Sequence, residues 1–248
     1  MTAPPKKERI DKLLVDRGLV STRTRAKDLI IQGSVLVNQK PETKPGATVL
    51  ENVEITLLEK EISYVSRGAL KLKAALEHFK IDVSGKIAID IGASTGGFTE
   101  VLMLGGAKKI YAVDVGSEQM AARIKNDPRV EIVENYNARN FKPEDFPEGF
   151  QVLVMDVSFI SIRLLIPPLL AGLLPSAQMV VLFKPQFEVG REGIGSGGIV
   201  VDQALAQKKL NETIEWAAAL GLQCQGTLNS PILGADGNHE YLIHWVKR

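Results

Sequence analysis

The feature that most constrains the fold of this chain is a beat of short apolar runs through its second half. "KIAIDIG", "KIYAVDVG", "VEIVEN", "QVLVMDVS" and "QMVVLFKP" recur about 20–25 residues apart, with helical patterns between them. Runs that are apolar throughout, not at alternate positions only, suit strands buried on both faces. Strands that alternate with helices specify a parallel sheet between helical layers, an α/β fold. Two further strands, "LQCQGTLNS" and "YLIHWVKR", follow each other without a helix, which predicts an antiparallel C-terminal hairpin on a mostly parallel sheet. "SYVSRGALKLKAALEHF" reads as the helix that opens this domain.

The first quarter of the chain has another rhythm. "ERIDKLLVDRGL" places Ile10, Leu13 and Leu14 on one helical face, and Gly18 ends the pattern. A second helix follows, with Ser21 or Thr22 as N-cap, Ala26, Leu29 and Ile30 as its apolar face, and Gly33 as its stop. "SVLVNQK" and "NVEITLLEK" read as strands around a turn rich in Pro and Gly. The expected organisation is a small α+β module over residues 1–60 and the α/β domain over residues 61–248.

Charge separates the two parts. The net charge is only +1. Residues 6–27 nevertheless carry eight Lys or Arg against three acids, so this segment is +5 and the remainder −4. A basic front on a mildly acidic body fits a polyanionic partner. The single cysteine, Cys224, excludes an internal disulfide framework and suits a reducing, cytoplasmic compartment. Three scattered histidines and no Cys/His cluster argue against a metal centre. No apolar run approaches the ~20 residues of a membrane helix.

"DIGASTGGFTEVL" lies where the first strand turns into a helix. Its glycines let the backbone turn tightly and approach a ligand. The pattern is neither the dinucleotide fingerprint nor a phosphate loop. Asp90 precedes the first glycine, where an acid repels a pyrophosphate but holds an amino group. Asp114 ends the second strand, where a carboxylate binds ribose hydroxyls. A nucleoside that carries an amino acid and no phosphate satisfies both, which points to S-adenosylmethionine. The loop residues Gly92, Ala93, Ser94, Thr95, Gly97 and Phe98, with Asn137 in "ENYNARNF", are the remaining candidates for holding it.

Asp156 and Lys184 end the fourth and fifth strands, so both face the same crevice as Asp90 and Asp114. Lys71 lies on the opening helix one turn from Arg67, and Glu240 begins the last strand. The motifs "SRGALKL", "DIGASTGGFTE", "DVSFIS", "KPQFEVG" and "GNHEY" stand in the order of the TlyA-type ribosomal RNA 2′-O-methyltransferases, which are similar to FtsJ-like enzymes. Some members carry the label haemolysin. The chain resembles that family over essentially its whole length. Residues 8–60, through "TRTRAKDLIIQGSVLVN", resemble the RNA-binding domain of the ribosomal protein S-four type.

The resemblance implies a Rossmann-like class I methyltransferase sheet, S-adenosylmethionine as cofactor, and ribosomal RNA or a ribosomal subunit as partner. It also implies a catalytic tetrad of Lys71, Asp156, Lys184 and Glu240. RNA contacts are then expected from Arg9, Lys12, Arg23, Arg25, Lys27 and Arg67. A ribose 2′-hydroxyl is a poor nucleophile, so the enzyme must position it and take its proton. A lysine does this in its neutral form, which a dry strand end and a second lysine favour and neighbouring acids oppose. A purely positional role for Lys184 stays open at this stage. Two other readings compete: a membrane-lytic protein, and a non-catalytic RNA-binding assembly factor. The loop "GREGIGSGGIV" is expected to be too flexible for the core and is read as a lid, an RNA contact or a plain surface loop.

Overall fold

In a computed structural model, residues 6–20, 22–31, 33–58, 64–234 and 237–248 are described, without the side chains of residues 24, 25, 28, 191 and 196. Ser21, one N-cap candidate, and the Arg25 side chain therefore lie outside the described residues. The chain divides into two compact units, 1–63 and 64–248.

The first unit runs β1 (Lys7–Arg9), α1 (Ile10–Asp16), α2 (Arg23–Ile31), β2 (Val35–Val37), β3 (Lys40–Pro41), β4 (Thr48–Leu50) and β5 (Ile55–Leu57). Strand β1 pairs with β4, and β2 lies between β3 and β5, all antiparallel. The periodic apolar positions close the core: Ile10, Leu14, Ala26, Leu29 and Ile30 are buried together with Val20 and Val35.

The second unit contains α3 (Gly68–Phe79), β6 (Ile87–Ile91), α4 (Gly97–Leu104), β7 (Lys109–Val113), α5 (Ala122–Lys125), β8 (Val130–Val133), β9 (Phe150–Met155), α6 (Ile166–Leu169), β10 (Leu173–Phe183), α7 (Gln203–Ala218), β11 (Leu222–Asn229) and β12 (Tyr241–Lys247). The seven strands are ordered β11-β12-β10-β9-β6-β7-β8. β6 to β10 pair in parallel, and β12 runs antiparallel between β10 and β11. Strand pleat sorts each apolar run onto two faces. Val152, Val154, Val180 and Leu182 pack toward Leu72 of α3 and Leu102 of α4. Leu153, Met155, Met179 and Val181 pack toward Ile166 of α6 and Leu210 of α7.

Three expectations need adjustment. The opening helix starts at Gly68, later than the "SYVSRGALKLKAALEHF" pattern suggests, and Arg67 is its N-cap. Strand β10 begins at Leu173, five residues before the "QMVVLFKP" run. The glycine-rich loop is pinned, because the buried Asn238 side chain donates to Gly198 O at 2.9 Å and accepts from Val200 N at 2.9 Å. Val200 itself is buried with Val189 and Ala206. Among the described residues no helix is long and apolar enough to cross a membrane.

Candidate active site

Strands β9, β6, β7 and β8 are neighbours in that order, and the loops leaving their carboxyl ends enclose a cavity of about 600 Å³. Its wall includes Gly92, Ser94, Asp114, Asn137, Asp156 and Phe159. Gly92 has φ +84°, and a β-carbon there would stand 2.3 Å from the Asp156 carbonyl oxygen. Only glycine lets these two strand ends meet. Asp114 Oδ2 accepts from Ser94 N at 2.8 Å and Oδ1 from Gly116 N at 2.7 Å. The carboxylate is thus locked on the wall, and each oxygen keeps a lone pair for a hydroxyl donor. Asn137 Oδ1 accepts from Arg139 N at 3.0 Å, which fixes the turn on the far side.

Asp90 stands elsewhere. It is fully buried in β6, where Oδ2 accepts from Thr99 Oγ1 at 2.7 Å and Oδ1 has no hydrogen-bond partner among the described residues. Burial pushes its carboxyl up to about 7, against the Thr99 hydrogen bond and helped by the nearby Asp156. Of the loop candidates, Gly92 and Ser94 line the cavity. Ala93 is buried behind it, Thr95 is exposed, and Gly97 and Phe98 are buried in the first turn of α4.

The four remaining candidates come together as two ion pairs. Lys71 Nζ donates to Glu240 Oε2 at 2.5 Å, and both side chains are buried. Lys184 Nζ lies 2.7 Å from Asp156 Oδ1 and donates to Ser158 Oγ at 2.9 Å. The Asp156 contact satisfies distance but not hydrogen-bond direction, so Oδ1 is held by charge alone. Asp156 Oδ2 lies 3.6 Å from where a Gly68 β-carbon would stand, one turn before Lys71. Both pairs therefore border the first turns of α3. Glu240 Oε1 sits against Gly234, where a β-carbon would come within 2.6 Å. The guanidinium of Arg67 donates to Leu233 O at 3.0 Å, which ties the same loop to the start of α3.

Two residues escape a reading of the sequence. Phe159 is 91% exposed on the cavity wall, holds φ +64°, and lies 5.3 Å from the Phe187 ring. An exposed aromatic in a left-handed conformation carries a cost that the core does not repay. Glu188 accepts from Ser161 Oγ at 2.7 Å and from Ile162 N at 2.9 Å, so "KPQFEVG" and "DVSFIS" are laced together. Burial pushes the Glu188 carboxyl up. The signal available in sequence was the phenylalanine in a short polar loop after a buried strand.

In the first unit, Arg9 and Arg23 both reach the buried Asp11. Lys12 lies between Glu8 at 2.5 Å and Asp16 at 3.4 Å, and Lys27 is exposed.

The profile of the S4 domain matches residues 8–55, and that of the FtsJ-like methyltransferase residues 64–247. A relative from Bacillus subtilis, named "Putative rRNA methyltransferase YqxC", is 46% identical over 96% of this chain and 85% of its own. The "16S/23S rRNA (cytidine-2'-O)-methyltransferase TlyA" of Mycobacterium tuberculosis is 41% identical over 98% of this chain and 90% of its own. A solved structure described as "Putative hemolysin from Streptococcus thermophilus" superposes with TM-score 0.74 at 44% identity, covering 99% of this chain and 90% of that one. With nearly the whole second unit matched and relatives aligned over almost all of this chain, the chain belongs to the FtsJ-like methyltransferase family.

Proposed function

We propose that the chain methylates the ribose 2′-hydroxyl of a cytidine in ribosomal RNA, with S-adenosylmethionine as cofactor, in the cytoplasm. In this reading residues 1–60 bind the RNA and residues 61–248 carry the chemistry. The observation that carries it is the position of Lys184. Its ammonium touches Asp156 and Ser158, and both of these line the cavity. A side-chain nitrogen therefore stands at the edge of a cofactor-sized space.

The residues present fit the cofactor. Asp114 and Asp156 face the cavity, which favours a ligand without phosphates. Asp114 would hold ribose hydroxyls, Asn137 the base, and the Gly92–Ser94 backbone the amino-acid end; Asp90 would act from behind that wall, not on it. When bound, S-adenosylmethionine supplies a methyl group on a sulfonium, a good electrophile that needs in-line approach.

The chain's own residues supply the rest. Lys184 orients the 2′-hydroxyl and, as the free amine, accepts its proton at Nζ. Asp156 and Ser158 hold that nitrogen in place. The Lys71–Glu240 pair fixes the start of α3, against which Asp156 rests, and its charges act in the transfer as the other half of the tetrad. Phe159 offers the target base a stacking surface at the mouth. The name of the tuberculosis relative, a cytidine-2'-O-methyltransferase, supports cytidine as the nucleotide.

The decisive experiment is transfer of tritiated methyl from the cofactor to ribosomal RNA of a strain lacking this gene, followed by mapping of the labelled nucleotide. Label on a cytidine ribose, lost with Lys184→Ala, is expected. Label on a base, or none, would remove the reading.

A further inference from the structure

Asp11 has no part in the chemistry above, yet it is fully buried in the most basic stretch of the chain. Arg9 meets it with two donors, Nε to Oδ1 at 3.0 Å and Nη2 to Oδ2 at 3.0 Å. Arg23 Nη2 reaches the same Oδ2 at 2.9 Å. With one oxygen shared, the two Nη2 atoms are no more than roughly 6 Å apart. Both side chains stay about half exposed, at 49% and 54%. Arg9 commits two of its N–H donors to Asp11 and Arg23 commits one, so each guanidinium keeps donors to spend.

One buried carboxylate fixes two guanidinia side by side and neutralises only one of them. The cluster therefore keeps a net positive charge and two planar forks with little left to order. That is the arrangement a tetrahedral oxyanion needs for simultaneous contact by two arginines. We infer that Arg9 and Arg23 form a single fork, set by Asp11, that grips one backbone phosphate of the RNA. Asp11 is a positioning residue and touches no ligand. The inference rests on the RNA-binding reading of residues 1–60.

Charge and positioning predict opposite signs for Asp11→Asn. The substitution makes the chain more positive, so a purely electrostatic account has RNA binding tighten. Loss of pre-organisation has it weaken, by roughly three- to tenfold, because freed side chains must be ordered on binding. The measurement uses the full chain and protein-free ribosomal RNA over a range of salt, with thermal melting of each variant. Weaker binding by Asp11→Asn is expected; equal or tighter binding by a folded variant overturns the fork.

Should Asp11→Asn unfold the unit, Arg9→Lys with Arg23→Lys carries the test, since both charges stay beside Asp11 but the planar forks go. Weaker binding is expected, and unchanged affinity overturns the proposal. The salt dependence counts phosphates. Arg9→Ala with Arg23→Ala, made in the Asp11→Asn chain so that no buried charge is stranded, should lower the slope by about 0.7–0.9, the value for one phosphate. A fall of about twice that overturns the shared grip. A separate arm replaces Lys12, Arg25 and Lys27 with Ala. If that arm and the fork variants all leave affinity and slope unchanged, RNA binding by this unit fails. If only the fork variants are silent, the fork alone fails.

Discussion

Lys71 Nζ and Glu240 Oε2 lie 2.5 Å apart across 169 positions of sequence, and neither side chain has more than 9% exposure. Such a pair costs desolvation to bury and more to break. Glu240→Ala leaves a buried ammonium alone and should cost about 3–5 kcal/mol of stability. Lys71→Met with Glu240→Leu should recover most of that stability, yet stay inactive. Denaturant titration beside single-turnover methyl transfer separates the two effects. An active double variant would show the pair to be scaffold only.

For Lys184, replacement by Ala should lower methyl transfer by ~10²–10⁴-fold, the usual worth of a positioned base. Cofactor affinity by calorimetry should stay near that of the parent. Lys184→Arg should not rescue, because a guanidinium does not give up its proton. If Arg supports most of the single-turnover rate, Lys184 positions the hydroxyl without accepting its proton.

Asp114→Ala should weaken S-adenosylmethionine binding by roughly ten- to a hundredfold, about 1.5–3 kcal/mol for a hydrogen bond to a charged group. The structure adds a second component, since Asp114 also anchors the Ser94 and Gly116 amides. Asp114→Asn keeps an acceptor and should fall between Ala and the parent. Calorimetry that gives all three the same affinity would take Asp114 out of the pocket.

The two buried aspartates predict opposite pH trends. The Arg9 and Arg23 guanidinia hold Asp11 down at about 2, below its ordinary 3.8. Its stabilising contribution is therefore present above pH ~4 and lost as pH falls through about 2. The loss should be about 1–2 kcal/mol, limited by screening of the half-exposed arginines. Asp11→Asn should flatten that acid limb in a melting series.

Asp90 runs the other way. Its folded value of about 7 stands above 3.8, so the unfolded chain ionises first and stability declines as pH rises from about 4 to about 7. Above that window the penalty is constant. The melting temperature of Asp90→Asn relative to the parent should rise across the same interval. A constant difference would mean that Asp90 stays ionised in the folded chain.

The strands were legible because buried parallel strands leave unbroken apolar runs, and because Gly92, Asp90 and Asp114 mark strand ends by position alone. The first unit was legible in Ile10, Leu14, Ala26 and Ile30, whose spacing is local. What sequence could not show depends on which way each side chain turns and what closes over it, whether the partner is two residues away or forty. Asp11 reads as a surface acid until Arg9 and Arg23 close over it. Asp90 reads as a ligand until its side chain is found against Thr99. Phe159 carries only a faint signal, its place in a short loop after a buried strand, and its 91% exposure shows only in the fold. The glycine-rich loop reads as loose because its restraint comes from Asn238, about forty residues away.

Strand β12, the last of the sheet in chain order, is inserted between β10 and β11 instead of at an edge. The ribosome therefore makes the keystone of this sheet after every strand it must join. Until residues 240–247 have emerged, β10 has a bare flank and Lys71 has no carboxylate. A premature stop before Glu240 would remove an interior wall and half of an ion pair, leaving a sticky, inert product for proteolysis.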